Sequence, residues 1–175
     1  MSERIYDVVI WGASGFTGRL VVEYMYRAYG RSGDVRWAIA GRNEQKLQQV
    51  LQDTGCSSNI PILIADSSDE ASLRSLAEQT KVVCTTVGPY AKYGSLLVQF
   101  CAETGTHYTD LTGEVHWMRR MIDQHHVEAQ NSGARIVHTC GFDSIPSDLG
   151  VFLLQRAMFE KHGVYSPNVK YRVVK

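Results

Sequence analysis

Two groups of residues in this chain have the types and spacing to handle a phosphorylated ligand. The first is a set of glycines in the string Gly12-Ala13-Ser14-Gly15-Phe16-Thr17-Gly18. It follows an apolar run, Ile5 to Trp11, and opens a segment with Leu20, Val21, Tyr24, Met25 and Ala28 at helical spacing. Strand, glycine turn and helix in that order make a cradle for a pyrophosphate. The first glycine permits the tight turn, the second lets backbone approach the anion, and the third lets the helix pack close to the strand. The helix start then offers free N–H groups and the positive end of its dipole. Gly12, Ser14, Gly15, Phe16, Thr17 and Gly18 are therefore expected to hold a dinucleotide. A G-x-x-G-x-x-G pattern alone is weak evidence, and the alternative is a ligand-free turn. The flanking strand-like and helix-like runs raise it.

The second group is at the end of the next apolar run, Val35 to Ala40, which closes on Gly41 and Arg42. In a dinucleotide fold this strand end meets the adenosine ribose. A carboxylate there binds the free 2′-hydroxyl; a guanidinium suits a 2′-phosphate through parallel hydrogen bonds. No Asp or Glu ends the strand, and Lys46, one helical turn on, adds positive charge. NADP is thus expected as cofactor ahead of NAD, with a solvated Arg42 as the alternative. Asp66 is expected at the polar rim of the adenine pocket, with Ser67 beside it; the alternative for Asp66 is a residue that only starts a helix.

Positioning these residues requires a particular order of elements. Helical periodicity runs from about Phe16 to Tyr29 and again through Leu47, Val50 and Leu51. Ile60 to Ala65 reads as a third strand, and Ser67 with Glu70 as a capping box for the helix carrying Leu73, Leu76 and Ala77. Val82 to Val87 is a fourth strand, stopped by Gly88-Pro89. A helix with Leu96, Leu97, Phe100 and Cys101 follows, then a short strand His107 to Asp110 and a helix from about Glu114 to Ser132. Arg135 to Thr139 is the sixth strand, and Pro146 suits the first turn of the last helix. Six strands alternating with helices specify an α/β fold, a doubly wound parallel sheet of the Rossmann type. Residues 1–162 make up this domain. Val169 to Lys175 alternates like the start of another strand, so residues 163–175 are expected to begin a second, mostly absent substrate or dimerisation domain, with a C-terminal edge strand of a single domain as the alternative.

Composition excludes several other classes. The 175 residues carry a formal net charge of zero, with no basic run to neutralise nucleic-acid phosphates. No apolar stretch is long enough to span a bilayer. The N-terminus lacks a signal-peptide core, and the four cysteines show no C-x-x-C spacing, so a reducing cytoplasmic setting is expected. No His, Cys or acidic set has metal-ligand spacing, and no metal site is expected. Tyr171 and Lys175 match a Y-x-x-x-K pair, but that pair needs a helix and the segment is β-like.

Several of these strings together resemble the saccharopine dehydrogenase-like oxidoreductases: the glycine loop, Ala40-Gly41-Arg42-Asn43, Val87-Gly88-Pro89-Tyr90 with Tyr93-Gly94, Asp110 to Glu114, and Cys140 to Gly150. The resemblance covers nearly the whole chain and is closer to the enoyl-reductase-like branch than to the enzymes acting on saccharopine. It implies an NADP-dependent oxidoreductase acting on a small-molecule or lipid-like substrate. This chain would be its cofactor domain and inactive alone; the missing part would supply most substrate contacts and a surface for a homodimer.

In an open parallel sheet, ligands bind outside the carboxyl ends of the strands. Val87, Gly88, Pro89 and Tyr90 should therefore border the nicotinamide ribose. Tyr90, Tyr93, Thr112, Glu114, Asp143 and Ser144 are expected near one cleft, with Glu114 and Ser144 also suited to capping helices. Matched to the family, Tyr90 and Asp143 are the candidate catalytic residues, lining an open polar space beside the nicotinamide; the alternatives are a packing role for Tyr90 and Tyr93 and a structural one for Asp143. The competing function is a non-catalytic NADP(H)-binding sensor or scaffold, in which that space is filled.

Overall fold

The computed structural model describes residues 3–30, 33–56 and 59–173. Its elements are β1 (Tyr6–Trp11), α1 (Phe16–Tyr29), β2 (Trp37–Gly41), α2 (Glu44–Asp53), β3 (Ile62–Ile64), α3 (Glu70–Gln79), β4 (Thr80–Thr85), α4 (Tyr90–Tyr93), α5 (Ser95–Thr104), β5 (His107–Thr109), α6 (Val115–Ser132), β6 (Ile136–Val137) and α7 (Ile145–His162). The strands form one sheet in the order β3-β2-β1-β4-β5-β6, parallel at every pairing. From β1 the chain winds outward to β3, then returns to β4 on the other side of β1. The strand order reverses there, and the loops after β1 and β4 diverge above the sheet to leave a crevice.

Both faces of the sheet are covered, which is why the central strands read as continuous apolar runs. Ile10, Trp37 and Ile39 pack with Val22, Leu47, Val50 and Leu51 of α1 and α2. Their strand neighbours Val9, Trp11, Ala38, Ala40 and Val83 face the other way, onto Leu73, Leu76, Leu97, Phe100 and Trp117 of α3, α5 and α6. The period-2 alternation of each strand thus feeds two separate cores.

Some element boundaries differ from the sequence expectation. β3 and β6 are shorter than the apolar runs containing them, because each is an edge strand with a neighbour on one side only. The expected capping box of Ser67 and Glu70 does not form. Asp69 is the N-cap of α3, its carboxylate accepting from the Ala71 amide at 3.1 Å. Asp66 instead turns onto Ser68, accepting from its amide at 2.9 Å and its hydroxyl at 2.6 Å. Ser144 precedes α7 but makes no side-chain cap. No strand forms over residues 169–173; Val174 and Lys175 lie outside the described residues.

Helix α7 buries none of its residues. Leu149, Phe152, Leu153, Leu154 and Phe159 are all exposed, though the segment 163–168 folds back along the helix. There Gln155 exchanges two hydrogen bonds with Ser166, both 2.8 Å, and Phe159 stacks on Tyr165.

The carboxyl ends of β5 and β6 are tied together by one buried carboxyl group. Asp110 accepts from the Tyr108 hydroxyl at 3.0 Å and from the amides of Thr112 and Thr139 at 3.1 and 3.0 Å. Its Oδ2 also lies 2.6 Å from Nδ1 of His138. Thr139 sits at φ 61°, a conformation that costs a β-branched residue energy and is held here by the bond to Asp110. Replacing Asp110 with Ala leaves these groups without their acceptor. We expect a loss of ~3 kcal/mol or more in urea unfolding; a loss under ~1 kcal/mol would show that water or neighbours replace the carboxyl group.

Candidate functional site

The glycine loop is shaped by two close approaches, one to a side chain and one to backbone. Gly12 adopts φ +89°, and a Cβ there would lie 2.6 Å from Val87 Cγ2. A Cβ on Gly18 would lie 2.2 Å from the carbonyl oxygen of Gly12. The first turn of α1 can therefore settle directly on the end of β1 only because position 18 has no side chain. Amides of Gly12 and Ala13 donate to Ala40 O at 3.0 and 3.3 Å, tying the turn to β2.

The start of α1 is left open. Gly15 is its N-cap in an extended conformation, with no side-chain cap and no acidic residue in the first turn. The leading amides of a helix have no partner within it, so those of Phe16, Thr17 and Gly18 are available to an anion. Phe16 and Thr17 are exposed, Phe16 to 84 %. A Cβ on Gly15 would meet only Gly12 O, at 3.3 Å.

Beside this helix start lies a cleft of about 180 Å³ lined by Trp11, Gly12, Ser14, Gly41, Arg42, Ser67, Val87, Gly88 and Tyr93. It joins the ends of β1, β2, β3 and β4 across the reversal in strand order. Of the expected cofactor residues, the structure thus brings Gly12, Ser14, Gly41, Arg42, Ser67, Val87 and Gly88 together in one wall. Gly15, Phe16, Thr17 and Gly18 form the adjoining helix start. Arg42 is exposed, and its positive charge helps hold the Asp66 carboxyl below the usual range, after the larger effect of the Ser68 hydrogen bonds. Lys46 is also exposed, but only its amide is engaged, by the Asn43 side chain that caps α2 at 2.9 Å. Asp66 and Lys46 do not line the cleft.

Tyr90 requires a correction. Its side chain is 4 % exposed and turned into the core, against Trp117 at 5.5 Å between ring centroids. The phenol donates to Thr85 O at 3.2 Å and accepts from the Leu111 amide at 3.4 Å. Burial pushes it up to about 12, so it keeps its proton at neutral pH. It packs the loop and does not line an open polar space; the phenol on the cleft is Tyr93. Glu114 and Thr112 are also engaged in loop structure. Both Glu114 oxygens accept backbone amides of α4, and Thr112 Oγ1 accepts from the Glu114 amide. Asp143 is exposed in the loop after β6 and outside the cleft lining.

The Asp110–His138 pair escaped sequence reasoning. Nε2 of His138 is buried with no hydrogen-bond partner, and the ring meets Trp117 edge-on at 5.1 Å. The only sequence signal was a histidine at the end of an apolar run, which does not reveal its partner. A larger cavity of about 570 Å³ lies between α6 and β6, with mainly apolar walls including Met118, Met121, Ile122 and Ile136. It shares no lining residue with the glycine cleft.

A parallel sheet in this order, with an uncapped helix start beside the reversal, is a dinucleotide-binding fold of the Rossmann type. Residues 8–137 match the family described as the saccharopine dehydrogenase NADP binding domain, and the chain belongs to that family. It is 50% identical over 158 residues to a Mycobacterium tuberculosis protein provisionally named a trans-acting enoyl reductase, covering 90% of this chain and 37% of that protein. The trans-acting enoyl reductase of Mycobacterium leprae is 44% identical over 159 residues, again 90% of this chain and 37% of the relative. The chain therefore spans little more than a third of the length of these curated relatives. Among solved structures, apo saccharopine dehydrogenase (L-Glu forming) from Saccharomyces cerevisiae shares the fold, with TM-score 0.67 at 18% identity over 87% of this chain and 32% of that one. An NADPH-dependent quinone oxidoreductase of Escherichia coli aligns with TM-score 0.51 at 21% identity over 86% of this chain and 53% of that one. No helix among the described residues is long and apolar enough to cross a membrane.

The cradle fits the cofactor of this family: an open helix start for the pyrophosphate, and a guanidinium at the end of β2. Two glycine substitutions separate its roles. Gly18→Ala forces a clash with backbone and should cost ~2 kcal/mol or more in stability. Gly15→Ala should unfold with a nearly unchanged midpoint, yet bind NADPH about tenfold or more weakly in a fluorescence titration, because its methyl group stands where the anion approaches. Equal effects of both on stability would contradict this division.

Proposed function

We propose that this domain serves an NADP-dependent oxidoreductase, of the enoyl-reductase-like kind, and that it holds the cofactor along the cleft from Arg42 to Tyr93. The observation that carries the reading is the uncapped start of α1 beside a cleft whose other end is marked by Arg42. In this pose the amides of Phe16, Thr17 and Gly18 hold the pyrophosphate. Arg42 pairs with the 2′-phosphate, supported by Ser67 and the charge of Lys46. Val87 and Gly88 border the nicotinamide ribose.

Reduced nicotinamide, when bound, supplies a hydride. What this chain adds is placement and a proton. Tyr93, not the buried Tyr90, is the phenol placed on the cleft, and it is the group we assign to proton delivery. Asp143, exposed beyond β6, is free to meet a substrate arriving from that side. The names of the curated relatives support an enoyl substrate, which is small or lipid-like. Additional residues, such as the longer relatives possess, would cover the exposed apolar side chains of α7 and enclose that substrate against the cleft. The domain alone would then bind cofactor without turnover.

The test is cofactor preference. NADPH should bind more tightly than NADH, and Arg42→Ala should weaken NADPH by about tenfold to a hundredfold, the range of a charge-assisted phosphate contact, while leaving NADH nearly unchanged. Equal affinity for the two cofactors in the unsubstituted chain would remove Arg42 from this role.

A further inference from the structure

Glu114 is a half-buried carboxylate that touches neither the phosphate cradle nor the cleft lining. It reaches from the loop after β5 to the loop after β4. Oε1 accepts from the Tyr90 amide at 2.6 Å, and Oε2 accepts from the Ala91 amide at 2.9 Å. Two oxygens on two successive amides form a two-point clamp, and hydrogen bonds to a carboxylate are the stronger kind. The clamp stands on a fixed base. The Glu114 amide donates to Thr112 Oγ1 at 3.1 Å, and the Thr112 amide donates to the buried Asp110 at 3.1 Å.

The clamped segment is the far side of the cofactor cleft. Val87, Gly88 and Tyr93 line it, while Tyr90 and Ala91 between them face Glu114. The near end of the same loop is held by β4 and the glycine turn. The Val87 amide donates to Thr85 Oγ1 at 3.2 Å, and the Thr86 hydroxyl donates to Gly12 O at 3.2 Å. The Tyr90 phenol makes a second link, bridging Thr85 O and the Leu111 amide. The contacts on Tyr90 and Ala91 thus decide where Gly88 and Tyr93 stand. None of these contacts reaches Gly41, Arg42 or Ser67 at the opposite end of the cleft.

We propose that Glu114 is a positioning residue for the nicotinamide half of the cofactor, acting through the loop of residues 87–93 and leaving the adenine half untouched. The proposal rests on the cofactor pose above. It predicts a split between two ligands. NADPH spans both halves of the cleft; adenosine 2′,5′-bisphosphate occupies only the adenine half.

Glu114→Ala should weaken NADPH about tenfold, the loss of roughly one strong hydrogen bond, while adenosine 2′,5′-bisphosphate changes by less than about twofold. The fluorescence of bound NADPH should shift toward that of the free cofactor, since the ring loses its fixed surroundings. Glu114→Gln keeps the shape and one acceptor oxygen, and should recover part of the affinity. Equal weakening of both ligands, or unchanged NADPH affinity, would overturn the proposal. If the alanine variant does not fold, Glu114→Gln decides: about threefold weaker NADPH with unchanged bisphosphate supports the clamp, and no split overturns it. Failure of the unsubstituted chain to bind either ligand would instead overturn the cofactor pose.

Discussion

The site depends on the contact between the first turn of α1 and the end of β1. Gly18 lies so close to the carbonyl of Gly12 that no side chain can intervene. This closeness aims the open helix start over the carboxyl edge of the sheet at the β1–β4 reversal. A helix displaced by one methyl group would still cover the core formed by Val22 and Ile10. Its unpaired amides would no longer face the same crevice. The loop after β4 in turn leans on Gly12, through Val87 and Thr86. The geometry of the cleft is therefore inherited from one backbone-to-backbone approach.

Around that approach, buried and half-buried carboxyl groups hold loops in place. Asp110 fixes the ends of β5 and β6 and the strained Thr139; Glu114 clamps the start of α4. Neither leaves a carboxylate free for acid–base work at the cleft. In the proposed pose, favourable charge for the cofactor would come instead from backbone amides and from exposed Arg42. This arrangement is compatible with a net charge of zero, because it needs only local positive potential at a concave surface.

Much of this was legible in the sequence. The doubly wound sheet follows from six apolar runs separated by helical periodicity, and the glycine spacing marked the helix start within one residue. The identity of Arg42 at a strand end carried the cofactor preference that the family shares. What could not be read was side-chain direction in loops, where no period constrains it. Tyr90 and Tyr93 are the first and last residues of the same short helix, yet Trp117 and Leu111, from distant elements, draw one inward and leave the other on the cleft. The start of α3 failed for a different reason. Asp66, Ser67, Ser68 and Asp69 can all cap a helix, and the path of the chain after β3 selects Asp69. The His138–Asp110 pair is invisible because its members follow different strands.

The most direct test is a map of backbone amide shifts by two-dimensional NMR as NADPH is added to the isotopically labelled chain. The account predicts the largest changes at Gly15, Phe16, Thr17 and Gly18, with a second group at Gly41 and Arg42. Changes confined to the cavity between α6 and β6, with the start of α1 unmoved, would contradict it.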